Sequence, residues 1–137
     1  MSTVHSSGET ALDEWHRIIL QRDWDSLPTL LADDVTYHNP AQSEPLKGKD
    51  ALVGTLQLVF SIFEDFAYTR RFRGDDGYAL EFSGRVGDAP FTGIDLIRFN
   101  VAGRITDLVV MIRPIGAVMK LGEEAARRMA QAQAGGE

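Results

Sequence analysis

The sequence predicts an α+β fold, with helices packed on one face of a curved, largely antiparallel sheet. Three observations carry this. Apolar residues recur at helical spacing within residues 10–21 and 48–63, and from Phe66 on the period changes to two. Residues 91–114, FTGIDLIRFNVAGRITDLVVMIRP, form two β-rich runs around the short turn Asn100-Val101-Ala102-Gly103.

The elements follow in order. Residues 1–8 are small and polar and are expected to be disordered. Thr10 serves as an N-cap, with Asp13 three positions on, for a first helix to about Gln21 whose apolar face carries Leu12, Trp15 and Ile19. Asp23-Trp24-Asp25 breaks that pattern. Asp25 then caps a short second helix with Pro28 in its first turn, burying Trp24, Leu27, Leu30 and Leu31 and ending at Asp33-Asp34. Residues 35–39, VTYHN, read as a strand stopped by Pro40, and AQSEPLKG reads as a loop. Residues 48–63 form a third helix with Leu52, Leu56, Val59, Phe60 and Phe63 on one face.

Phe66, Tyr68, Arg70 and Phe72 alternate up to the turn Gly74-Asp75-Asp76-Gly77, and Tyr78, Leu80 and Phe82 alternate down to Gly87-Asp88-Ala89-Pro90. The long hairpin comes next. Residues 115 to about 131 form a last helix, and residues 132–137 are expected to be disordered, leaving one domain over residues 9–131.

Composition narrows the functions. The chain has 137 residues, a formal net charge of −6 and a pI near 5.0, which argues against a nucleic acid partner. There is no cysteine, hence no disulfide framework and no thiol nucleophile. The start lacks the basic and apolar regions of a secretory signal, and no apolar run reaches the ~20 residues that span a bilayer, so a cytoplasmic protein without a membrane partner is expected. His5, His16 and His38 share no ligand spacing, and no phosphate loop or dinucleotide fingerprint is present. The expectation is no metal and no cofactor.

Both faces of the final hairpin are apolar. Ile94 and Leu96 alternate with Ile97 and Phe99, and Val109 and Met111 with Leu108, Val110 and Ile112. A sheet with one wet face would show polar alternation instead. The outer face is therefore expected to be covered by a second copy of the chain, as a homodimer. The C-terminal helix folding over that face is the alternative.

Asp95 sits within the most apolar part of this hairpin, as a paired structural group or a working one. A turn centred on Val101-Ala102 would pair Phe99 with Arg104, Ile97 with Thr106, Asp95 with Leu108 and Gly93 with Val110. Asp95 would then share a face with Leu108, Val110 and Ile112, where desolvation raises a carboxyl pKa. A carboxyl kept neutral in this way can donate a hydrogen bond to a developing oxyanion.

The series LLADDVTYHNP, PLKGKDAL and GIDLIRFNVAGRI, spread from about residue 11 to Pro114, resembles the SnoaL-like branch of the nuclear transport factor 2-like superfamily. The resemblance implies a cystatin-like cone, in which three helices wrap a strongly curved mixed sheet around an apolar pocket, with a C-terminal helix and a homodimeric assembly. That family holds isomerases, polyketide cyclases, epoxide hydrolases, dehydratases and non-catalytic binders, so the fold leaves the function open. Under the resemblance Asp95 matches the protonated oxyanion-hole aspartate of ketosteroid isomerase, the established example of that state. The partner tyrosine on the first helix corresponds to Trp15, and the general-base aspartate before a proline corresponds to Asn39, which cannot hold a proton at neutral pH. Tyr37-His38-Asn39 also resembles the water-holding pair of limonene-type epoxide hydrolases, but the third water-holding group of that branch falls on Val110.

The candidate catalytic residues are therefore Asp95, Tyr37, Asn39 and His38. Strand alternation turns Tyr37 and Asn39 inward and His38 outward. His38 or His16 stands as the base, with a surface position as the plainer reading of both. Trp15, Ile19, Phe60, Phe63, Leu80, Phe82, Val110 and Ile112 are the expected pocket walls, and Tyr68 and Tyr78 are additional donors. The sequence supports a hydrophobic small-molecule pocket with cofactor-independent acid/base chemistry of the isomerase, cyclase or dehydratase kind. A non-catalytic ligand-binding dimer is the alternative, and a limonene-type epoxide hydrolase a weaker one.

Overall fold

The computed structural model describes the backbone of residues 2–135 and the side chains of residues 9–134. Three helices, α1 (Ser2–Gln21), α2 (Lys49–Ile62) and α3 (Ile115–Gly135), pack with one six-stranded sheet. Its strands are β1 (Leu31–His38), β2 (Leu46–Lys47), β3 (Glu64–Arg73), β4 (Tyr78–Val86), β5 (Ala89–Phe99) and β6 (Ile105–Arg113), in the spatial order β2-β1-β6-β5-β4-β3. β1 runs parallel to β6 and every other pair is antiparallel, which makes the sheet mixed. This is the cone-shaped α+β plan, with the core between the helices and the inner sheet face.

Several boundaries differ from the sequence reading. α1 begins at Ser2, so Thr10 is an internal position and most of the tail expected to be disordered is helical; that stretch carries no proline to stop a helix. The short second helix is a single 3-10 turn, Leu27–Leu30, with Pro28 near its start. The chain is extended from Leu31, so Asp33 and Asp34 are exposed strand residues. Two residues of the presumed loop, Leu46 and Lys47, pair with Tyr37 and Thr36 as β2. At the C-terminus α3 continues to Gly135, beyond the expected end near Gln131.

The β5–β6 hairpin forms with Asp95 opposite Val110, Gly93 opposite Ile112 and Ile97 opposite Leu108. This is two residues off the expected pairing with Leu108. A wider turn is the cause: Asn100 N–H donates to the Arg104 carbonyl, its side-chain oxygen accepts from the amides of Ala102 and Arg104, and a bulge follows between Arg98 and Phe99. A shift of two preserves every face, because side chains alternate with period two. Asp95 stays on the side of Leu108, Val110 and Ile112.

Two glycines let aromatic rings cross the sheet. A Cβ on Gly93 would lie 2.5 Å from Cζ of Phe82, and one on Gly84 would lie 2.7 Å from Cζ of Phe91. Phe82 thus lies over Gly93, next to Asp95 in the same strand. On the opposite face Ile94, Leu96 and Met111 remain 37%, 39% and 54% exposed. α3 does not cover them; it lies on the inner side, where Ala117 and Leu121 are buried.

Candidate active-site cavity

A cavity of about 400 Å³ lies between the inner sheet face, α2 and α3. Its walls are apolar and aromatic: Phe60 and Val59 from α2, Phe63 just after it, Phe66 from β3, Phe82 from β4, and Leu108, Val110 and Ile112 from β6. α3 closes one side with Val118, Leu121 and Ala125, and Arg128 anchors it by donating to the carbonyl and hydroxyl of Ser61 at the end of α2. Among the described residues Asp95 is the only acidic or basic side chain in the lining.

Asp95 is 5% exposed. Burial pushes its carboxyl from the ordinary 3.8 up to about 7, against the opposing pull of one hydrogen bond from Tyr68. The Tyr68 hydroxyl donates to Oδ2 of Asp95 at 3.0 Å, and Trp15 Nε1–H donates to the Tyr68 oxygen at 3.0 Å. Burial first, and the Asp95 charge second, raise the Tyr68 phenol well above its usual range. The same two causes raise Tyr37, which lines the cavity and makes no hydrogen bond among the described residues. Tyr37 therefore presents a free, protonated hydroxyl close enough to Asp95 to feel its charge.

Of the candidate catalytic residues, the fold brings Asp95, Tyr37 and Asn39 to one cavity. Asn39 is largely committed to its own loop: its side-chain oxygen accepts from the amides of Ala41 and Gln42, and its Nδ2 donates to the Gln42 side chain. His38 is not in the cavity. It follows inward-facing Tyr37 on β1, so it points outward, with Nε2 3.1 Å from Oδ1 of Asp107. His16 is also outside the lining; its ring meets Tyr68 edge-on at 5.0 Å, and burial followed by the Arg71 charge lowers its pKa. His5 lies outside the residues whose side chains are described.

Six expected wall residues line the cavity: Trp15, Phe60, Phe63, Phe82, Val110 and Ile112. Ile19 and Leu80 do not, and their placement is corrected to plain core, at 0% and 1% exposed. Leu80 pairs with Asp95 and with Arg71, and Arg71 binds Asp13 at 2.9 Å, so α1 fills the space above that end of the sheet. Tyr68, expected from the sequence as an additional donor, is the residue whose hydroxyl donates to Asp95, although no spacing tied it to that carboxyl. The α3 contribution had a usable signal, since Val118, Leu121, Ala125 and Met129 follow helical spacing. No group of histidine, cysteine, aspartate or glutamate able to hold a metal occurs among the described residues, and no helix there is long and apolar enough to cross a membrane.

Residues 8–108 match the pattern of the SnoaL-like domain family. The chain is 41% identical to a steroid delta-isomerase from Pseudomonas aeruginosa, over 93% of this chain and 95% of that one, with a TM-score of 0.89. It is 31% identical to an uncharacterised protein with a cystatin-like fold from Silicibacter pomeroyi, over 90% and 88% of the two chains, with a TM-score of 0.83. A putative ketosteroid isomerase from Kribbella flavida shares the fold at 19% identity, over 80% and 79%, with a TM-score of 0.67. No curated protein matches the chain.

Proposed function

This chain belongs to the SnoaL-like domain family, and from that premise we propose that its cavity binds an uncharged, largely apolar small molecule and moves a proton on it without a cofactor. The reaction is of the isomerase, cyclase or dehydratase kind. One observation carries this reading: Asp95, the one acidic or basic side chain in the apolar lining among the described residues, is pushed up to about 7. A group that titrates near the working pH can both take and return a proton, which is the requirement for general acid–base catalysis.

Each residue has a role. Asp95 exchanges the proton with the ligand. Tyr37, with its free hydroxyl, donates to a ligand oxygen and favours charge that develops there. Phe82 and Val110, beside Asp95, keep water away and hold the ligand body. A steroid-like ketone fits this chemistry, and the Pseudomonas aeruginosa protein supports it, being a steroid delta-isomerase at 41% identity.

The test uses Asp95→Asn and Asp95→Leu against a panel of polycyclic ketones and epoxides. Turnover should fall by about 100-fold or more while binding persists. Turnover that is unchanged in both variants would refute the assignment.

A second reading, a ligand-binding dimer without turnover, draws on Asn39. The residue at the family's base position is an amide engaged in its own loop. Binding of the panel with no turnover by the unaltered protein would select this reading. A limonene-type epoxide hydrolase has less support, because Val110 stands where that branch holds water and no arginine lines the cavity among the described residues. In either of the first two readings a second copy of the chain covers Ile94, Leu96 and Met111.

A further inference from the structure

The hydrogen-bond chain behind Asp95 runs in one direction only. An indole N–H can donate and cannot accept, so Trp15 necessarily occupies a lone pair of the Tyr68 oxygen. A phenol has a single hydrogen. With Trp15 donating to Tyr68 at 3.0 Å, that hydrogen goes to the neighbour at 3.0 Å on the other side, which is Oδ2 of Asp95. Oδ2 is thereby an acceptor in both charge states of the carboxyl. Oδ1 takes no hydrogen bond from the described residues, and no buried side-chain oxygen there lacks a partner, so Oδ1 is open to the cavity that Asp95 lines.

We propose that Trp15 and Tyr68 are positioning residues whose relay reserves Oδ2 of Asp95 as a fixed acceptor and leaves Oδ1 as the one atom that gains and loses the working proton. The proposal rests on the reading of Asp95 as the proton-exchanging group and specifies which of its atoms acts. It gives Trp15 a different part from the one implied by its position in the family, where a hydrogen-bond donor on the first helix faces the ligand. Here the donor N–H is spent on Tyr68, and the donor facing the ligand is Tyr37 from β1.

The surroundings offer no competing partner among the described residues. Val110 and Leu80 flank Asp95 in register from β6 and β4, Tyr37 approaches from β1 and Tyr68 from β3. Beyond Tyr68, the Arg22 charge acts on the phenol, and the His16 ring meets its edge with Arg71 behind. None of these cations hydrogen-bonds Asp95. Both oxygens of an isolated carboxylic acid are equivalent, so without the relay the proton would be shared between a cavity-facing site and an inward site that no ligand reaches.

The experiment is a double-mutant cycle on the titration of Asp95, followed by the carboxyl carbon-13 shift in aspartate-labelled protein. Tyr68→Phe removes the one hydrogen bond that favours the ionised form, and the midpoint should rise by about one pH unit or more. Trp15→Phe frees the Tyr68 hydroxyl to turn, and should raise the midpoint by a smaller amount. Trp15 acts only through Tyr68, so the double variant should titrate like Tyr68→Phe alone. A Trp15→Phe shift that survives undiminished in the Tyr68→Phe background overturns the proposal, as does a folded Trp15→Phe protein with no shift.

A second measurement needs no change at Trp15. Its indole N–H should exchange slowly with solvent in the unaltered protein and faster in Tyr68→Phe, with the signal assigned through Trp24→Phe. Equal exchange in the two proteins also overturns the relay. Both readouts are independent of turnover, so a protein that binds but does not turn over its ligand would refute the enzymatic reading and leave the relay standing.

Discussion

The hydroxyl of Tyr68 lies 3.0 Å from Oδ2 of Asp95, although β4 separates their strands. Gly93 allows this. It stands in the row that pairs with Phe82 and hence Tyr68, and with no side chain of its own it leaves the space beside Asp95 to rings from β3 and β4. The result is a carboxyl with a single hydrogen-bond donor among the described residues, packed against aromatic and aliphatic side chains.

That setting makes stability depend on pH. The folded protein holds the Asp95 proton up to about 7, and an ordinary aspartate releases it near 3.8. Between those values the folded state binds more protons, so the Asp95 contribution favours folding below pH 3.8 and is lost as pH rises to about 7. The loss is on the order of 4 kcal/mol. Urea unfolding of the protein and of Asp95→Asn at pH 4.5 and pH 8 measures it. The gap between the two proteins should move in favour of the variant at the higher pH, with the effects of other carboxylates cancelling in the difference.

Gly93→Ala should be destabilising. The added methyl would meet the Met111 carbonyl oxygen at 2.4 Å and the Phe82 ring at 2.5 Å, and the backbone contact cannot turn away as a side chain can. A loss of about 1–3 kcal/mol is expected in denaturant unfolding. Displacement of Phe82 should also let water reach Asp95 and lower its titration midpoint.

His38→Ala should leave ligand affinity and turnover within about twofold, the usual range for a surface change away from the site. The histidine is on the outer sheet face beside Asp107, while Tyr37, one residue before it, faces the cavity. A loss of turnover of about 100-fold or more, measured with the best ligand of the panel, would return His38 to the position of base.

Leu96→Glu combined with Met111→Lys places charges in the exposed apolar strip of β5 and β6. Sedimentation should show the unaltered protein as a dimer and the variant as a folded monomer with unchanged circular dichroism. A monomeric unaltered protein would remove the dimer from the proposal.

The sequence alone determined the longer elements and the faces they present, although not the two-residue strand β2 or the exact starts of α1 and β1. The change from helical spacing to alternation after Phe63 marks where helix gives way to sheet, and the alternation around Asp95 places its carboxyl inward whichever even register the hairpin adopts. Local chemistry is sufficient there, because side-chain direction repeats every two residues in a strand and every three to four in a helix. Tertiary structure decided the rest. The pairing of Asp95 with Val110 depended on a turn stabilised by the Asn100 side chain, and the cavity's outer wall depended on where α3 came to lie. The assignment of Trp15 to Tyr68, and of Tyr68 to Asp95, spans 53 and 27 residues of chain. No spacing rule reaches that far, since contacts of this kind exist only after the sheet has brought β3 and β5 against α1.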